Sequence, residues 1–212
     1  MRSSRHGRRA FLVLLLCVLP AFLFAESSLD QAQKLLSQGR FEESRLMALD
    51  LLSRDASDLE SLVVLCRDLL GLGRWSDAEN YGLKAWDLRR DPRVSEILGE
   101  ASFSLGKNDA ALRHFRNYVS AVPEGSGVGS AYYFMGEIYL RLARYAHADI
   151  AISTALQFTP GNARWWSRLG WAREKANDRS GALEAYAQAL KIEPHLEDAL
   201  LGRDRVRAGT RG

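Results

Sequence analysis

From Ala163 to Ile192, apolar and small residues return with the period of a helix, break once at a polar turn, and resume. Trp166, Leu169, Gly170 and Arg173 fall at i, i+3, i+4 and i+7, and after NDRSG the residues Ala182, Ala185, Tyr186 and Ala189 repeat that spacing. Two amphipathic helices joined by a short turn are expected. Gly170 and Ala182 are small enough for the helices to approach closely, while Trp166 and Tyr186 fill the space beside them. Pro160 and Pro194 have no amide donor and end the second helix of their copies.

The pattern is periodic along the chain. Ala32, Cys66, Gly99, Gly136 and Gly170 form one series of small residues, with steps of 34, 33, 37 and 34; Ser44, Ala78, Ala111, Ala148 and Ala182 form a second with the same steps. The longer step coincides with PEGSGVGS, a turn-rich stretch from Pro123 to Ser130. Five copies of one helical hairpin are therefore expected.

The residues at these marks resemble the tetratricopeptide repeat. WWSRLGWAREKANDRSGALEAYAQALKIEP carries that family's spacing at Trp166, Leu169, Gly170, Ala182, Tyr186, Ala189 and Pro194. The preceding copy has Tyr132, Met135, Gly136, Tyr139, Ala148, Ala155 and Pro160, and the one before it Leu98, Gly99, Ala111, Phe115 and Pro123. Two earlier copies depart from the pattern. One keeps Leu65, Cys66, Ala78 and Ala85 but has Gly82 where an aromatic is expected and Arg90 in place of proline; the first keeps Ala32, Leu35, Gly39, Ser44 and Leu51, with Gln31 where leucine is usual. The repeats would span 26–58, 59–91, 92–125, 129–162 and 163–196. A hairpin cannot bury its apolar face alone, and residues 197–208, charged apart from positions such as Leu200 and Val206, read as a helix covering the last one. The resemblance implies an all-α, right-handed α-α superhelix of five hairpins and a cap, with the first helices lining its inner face.

In that family, ligand-facing positions of the first helices correspond here to Val63, Arg67 and Leu70; Arg93, Glu96, Glu100 and Phe103; Tyr133, Glu137 and Leu140; and Arg164, Ser167, Trp171 and Glu174. A groove of this composition can hold an extended or helical peptide, with Glu96, Glu100 and Glu137 favouring basic side chains. Some relatives clamp an acidic C-terminal tail with Lys and Asn, but Val63, Arg67, Glu96 and Glu100 do not supply that clamp.

The first 25 residues have a different character. Arg2, Arg5, Arg8 and Arg9 precede an uncharged run from Ala10 to Ala25, which is broken by Pro20 and followed by Glu26. This reads as an export signal, cleaved near Glu26 or retained as an inner-membrane anchor through residues 10–25. Cys17 follows LLL, without the small residue of a bacterial lipobox. The chain has 29 basic and 26 acidic side chains, but four of the arginines lie in this segment, so 25 bases face 26 acids in the remainder. A nucleic-acid partner is not expected. Cys66 would be the sole cysteine after cleavage, at a buried small-residue position where an inert thiol is expected.

No catalytic triad, metal-ligand cluster or phosphate-binding loop stands out. His114, His147 and His195 fall in different repeats, and pairs such as Glu42 and Glu43 or Glu96 and Glu100 read as solvated faces, with no pocket expected to shift their pKa values. The expectation is a cofactor-free, non-enzymatic scaffold of a bacterial envelope, exported and periplasmic, that binds a polypeptide in its groove. The alternative is a self-associating structural module.

Three tryptophans in WWSRLGWA sharpen the groove assignment. Trp165, Trp166 and Trp171 point in directions separated by roughly 100° to 140° on a helix and cannot close one box. Trp166 is expected in the core, Trp165 against the preceding repeat or the surface, and Trp171 in the groove.

Overall fold

The computed structural model describes residues 27–209, so the export segment expected at residues 1–25 lies outside the described part. The described residues form α1 (Ser28–Ser37), α2 (Phe41–Arg54), α3 (Leu59–Gly71), α4 (Trp75–Leu88), α5 (Pro92–Ser104), α6 (Asn108–Ala121), α7 (Val128–Arg141), α8 (Tyr145–Phe158), α9 (Ala163–Lys175), α10 (Arg179–Ile192) and α11 (Glu197–Ala208). Five antiparallel hairpins follow one another, and α11 packs on both α9 and α10.

Local chemistry sets these boundaries. Ser27, Asp58, Asp91 and Asn162 begin first helices, and each side chain accepts a hydrogen bond from an otherwise unpaired amide of the first turn. Each first helix ends where the backbone turns left-handed, at Gly39, Gly73, Gly106, Ala143 and Asn177, with φ between 53° and 74°. The next residue's amide then closes back onto the helix, as Arg74 does on the Leu69 carbonyl at 2.8 Å. Those five turn residues are themselves spaced by 34, 33, 37 and 34. Three are glycine, which reaches this region without a Cβ penalty, and asparagine tolerates it better than most residues.

The inner and outer layers follow from the stacking. α1, α3 and α5 each pack on the next first helix, whereas successive second helices do not pack closely, so these first helices form the tight concave layer. Between α7 and α9 the backbones approach less closely, and Tyr133 stacks on Trp165 across the gap with ring centroids 4.7 Å apart.

Within each of the last three hairpins, a large side chain from the second helix sits on a small residue of the first. A Cβ added at Gly99 or Gly170 would lie 2.7 Å from the ring of Phe115 or Tyr186, and Ile152 covers Gly136 in the same way. The second hairpin reverses the sizes: Cys66 replaces the glycine, and Gly82 replaces the ring. Leu98 of the following hairpin reaches to 2.9 Å of where a Gly82 Cβ would stand, so the missing ring leaves no void.

Candidate interaction groove

Most of the charged groove residues anticipated from the sequence are occupied in holding neighbouring hairpins together. Arg67 on α3 bonds Glu96 on α5 at 2.7 Å, and Arg93 on α5 reaches back to both oxygens of Glu60 on α3 at 2.7 and 2.8 Å. Arg168 on α9 grips Glu137 on α7 at 2.6 and 2.7 Å, and Arg205 on α11 grips Glu174 on α9 at 3.1 Å from each oxygen. The fork of an arginine matches a carboxylate, so these pairs also fix the rotation of one helix on the next. The Arg93 bond holds the Glu60 carboxyl below its usual range. Burial opposes a similar effect at Glu174, but Arg205 and the Tyr186 hydroxyl, which donates to it at 2.7 Å, hold its pKa down.

Several expectations need correction. Val63 and Leu140 are 5% and 4% exposed and belong to the cores under the groove, because the close spacing of first helices buries these edge positions, whereas Leu70, 8% exposed, keeps an edge on a cavity. Ser167 is 4% exposed but still borders the cavity beside Trp171. Glu96 and Glu100 do not form a solvated face. The Glu96 side chain is only 13% exposed, and Glu100 is half-buried. Burial, followed by the neighbouring Glu96 charge and opposed by Arg67, pushes the Glu100 carboxyl up to about 7. Trp166 is half-buried rather than fully enclosed, because its indole reaches the hairpin edge and donates to the Pro160 carbonyl at 2.8 Å.

Of the other two tryptophans, Trp165 takes its expected place against the preceding hairpin. Trp165 packs on Tyr133 of the preceding hairpin, and Trp171 is half-buried on the concave side, below the Arg168 guanidinium at 4.6 Å and Lys175 at 5.9 Å. Trp171 borders a cavity of about 230 Å³, shared with Arg168, Tyr186, Asp198, Leu201 and Arg205, where α11 closes the groove. Arg164 is exposed at the start of α9.

A second cavity, about 500 Å³, opens at the N-terminal end between the first three hairpins and α7. Leu36, Phe41, Leu70, Trp75, Phe103 and Phe134 wall it, with Arg67, Glu100 and Ser104 as its polar members. Phe103 lies 4.9 Å from Phe134, and the Arg141 guanidinium covers the Phe103 ring at 3.8 Å. Phe41, Trp75 and Phe134 were not among the anticipated groove residues. Phe41 and Trp75 open the second helices one repeat apart, and that recurrence was the available signal.

Chemistry elsewhere is sparse among the described residues. They contain no group of His, Cys, Asp and Glu that could hold a metal ion, and no helix long and apolar enough to cross a membrane. Cys66 is 1% exposed, and burial pushes its thiol up to about 12, so the nucleophilic thiolate is disfavoured. His114 meets Trp86 edge-on, and His147 lies against Tyr139.

Comparison with known proteins agrees with this architecture. Residues 129–162 and 163–196 each match a family model described as tetratricopeptide repeat. No curated protein matches the chain in sequence. Among solved structures, a MamA protein is 23% identical with a TM-score of 0.67, covering 79% of this chain and 90% of that one. MamA from Desulfovibrio magneticus RS-1 is 21% identical with a TM-score of 0.69, covering 80% and 95%. YrrB, described as a TPR protein with an unusual peptide-binding site, is 18% identical with a TM-score of 0.69, covering 84% and 90%. Residues 129–196 are two tetratricopeptide repeats, set in an all-α solenoid whose fold MamA and YrrB share.

Proposed function

We propose that the protein is a non-enzymatic interaction scaffold of a bacterial cell envelope, binding a partner polypeptide along its concave face without a cofactor. The observation that carries this reading is the aromatic-walled cavity of about 500 Å³ between the first helices and the starts of α2 and α4. Aromatic side chains supply large contact areas at low entropic cost, and a concave apolar site with few polar groups suits a peptide anchor. The fold likeness to YrrB, described as having a peptide-binding site, supports the same reading. Photo-crosslinking tests it: p-benzoylphenylalanine placed at Trp75 or Trp171 should capture polypeptide, and the same group at Leu83 on the outer layer should not.

The envelope location rests on the arginine-led apolar segment before Glu26. Mass spectrometry of the protein purified from its native host should find an N-terminus near Glu26. A cytoplasmic protein that retains Met1 would contradict export, whereas membrane-bound protein with Met1 would favour the anchor. Self-association is a second reading, favoured by Leu46, which is 59% exposed on α2 of the first hairpin.

A further inference from the structure

One carboxylate in the N-terminal cavity is not used by the solenoid for itself. Along the concave face Glu60, Glu96, Glu137 and Glu174 are each paired with an arginine of an adjacent hairpin or of α11. Glu100, one turn beyond Glu96 on α5, forms part of the cavity wall and makes no ion pair or hydrogen bond among the described residues. Arg67 is near enough to influence it, but the Arg67 Nη2 is engaged by Glu96. Arg67, Glu96 and ionised Glu100 together carry one net negative charge; Arg67 and Glu100 share the cavity with Phe41, Trp75, Phe103 and Phe134, and Arg141 covers the Phe103 ring.

This arrangement selects among ligands. An uncharged apolar group seated here would strand an ionised carboxylate away from water, and an acidic group would set like charges together. A long cationic side chain suits both parts of the site, with its methylenes against the rings and its charge on the carboxylate. Resting on the groove reading, we propose that this cavity is a subsite for a lysine or arginine side chain of the partner polypeptide, with Glu100 as its counter-ion.

Binding should then depend on pH. The charged and titratable groups that face Glu100 are Arg67 on α3, Glu96 on α5 and Tyr118 on α6, and Arg141 on α7 covers the neighbouring Phe103. With the Glu100 carboxyl at about 7, it is mostly protonated at pH 6 and mostly ionised at pH 8. The ionised, binding-competent fraction rises about tenfold across that interval, and the apparent affinity rises with it.

Panning a phage-displayed library of random, histidine-free dodecapeptides on the full chain at pH 8 tests the subsite. Enriched peptides should carry Lys or Arg beside apolar residues. Their affinity, read by fluorescence polarisation, should fall about tenfold in Glu100→Gln and about fivefold from pH 8 to pH 6 in the parent, where the protonated side chain keeps the residual affinity of the glutamine variant. The pH step should disappear in Glu100→Gln and persist in Glu100→Asp. Glu100→Gln is nearly isosteric, and thermal melting checks that it remains folded. Enriched peptides without a basic residue, or peptides bound equally by Glu100→Gln, would overturn the subsite while leaving groove binding intact. If no peptide is enriched, the subsite is also refuted, and crosslinking from Trp75 and Trp171 decides the groove reading independently.

Discussion

Replacing Tyr186 by alanine should cost about 3 to 5 kcal/mol of stability, with the loss concentrated at the C-terminal end of the solenoid. The ring is 1% exposed and lies between Gly170 of α9 and Gly202 of α11, neither of which has room for a side chain against it. Its hydroxyl donates to Glu174, which Arg205 of α11 also grips. Removing the ring therefore opens a void between three helices and loosens the cap. Tyr186→Phe keeps the packing and loses one hydrogen bond to a carboxylate, so it should cost about 1 to 2 kcal/mol. Trp166→Ala should also cost less than Tyr186→Ala, about 1 to 3 kcal/mol, because the indole is half-buried. Repeats in a solenoid interact with their nearest neighbours, so unfolding need not be a single step. Hydrogen exchange resolved by segment is the appropriate readout: Tyr186→Ala should deprotect α9 to α11 and leave α3 to α5 little changed. Equal destabilisation by Tyr186→Ala and Trp166→Ala would contradict these assignments.

The stability of Asp68→Asn relative to the parent should rise by about 2 to 3 kcal/mol between pH 5 and pH 8. Asp68 is fully enclosed between α3 and α2, and neither carboxyl oxygen has a hydrogen-bond partner. The nearby Ser44 hydroxyl donates instead to the Ala32 carbonyl at 2.9 Å, and Arg45 bonds Glu42. Burial pushes the Asp68 carboxyl up to about 7, with Ser44 and Arg45 opposing and Glu42 reinforcing. A folded-state pKa above the unfolded value means that folding takes up a proton between about pH 4 and pH 7. Stability falls as pH rises through that window and levels off above it, where the folded protein must hold a buried anion. Asparagine removes the proton uptake at this site, so the difference between variant and parent should widen from pH 5 to pH 8 in urea denaturation. A constant difference across that range would show that Asp68 is not the titrating group.

The periodic residues carried most of the fold, because a hairpin that packs on its own copy must place small and large side chains at fixed intervals. The same intervals mark the turn residues Gly39, Gly73, Gly106, Ala143 and Asn177, a series that could have been read in advance. The exchange of Cys66 and Gly82 looked like a weakened repeat. Its completion by Leu98 depends on how far the next hairpin reaches, which no spacing within one repeat states.

The groove was harder to read for a related reason. Glu96 and Glu100 are one turn apart and similar in sequence, yet only Glu96 meets Arg67 closely enough to bond. Residues counted as ligand contacts from their helix face, such as Leu140 and Glu174, are taken up by the core or by the cap. Which charges remain for a partner is decided by the offset between neighbouring hairpins. That offset depends on bulky contacts such as Tyr133 on Trp165, whose stacking the sequence anticipated only in outline.

The central claim is that the groove side of the solenoid, where Trp75 and Trp171 border its cavities, and not the outer surface at Leu83, receives a polypeptide. Its most direct measurement is the crosslinking yield in the native host from p-benzoylphenylalanine at Trp75, Trp171 and Leu83, three sites with surface exposure in the folded chain. The claim predicts one discrete adduct shared by the Trp75 and Trp171 positions and absent from Leu83; the same adducts at all three, or adducts from Leu83 alone, would contradict it.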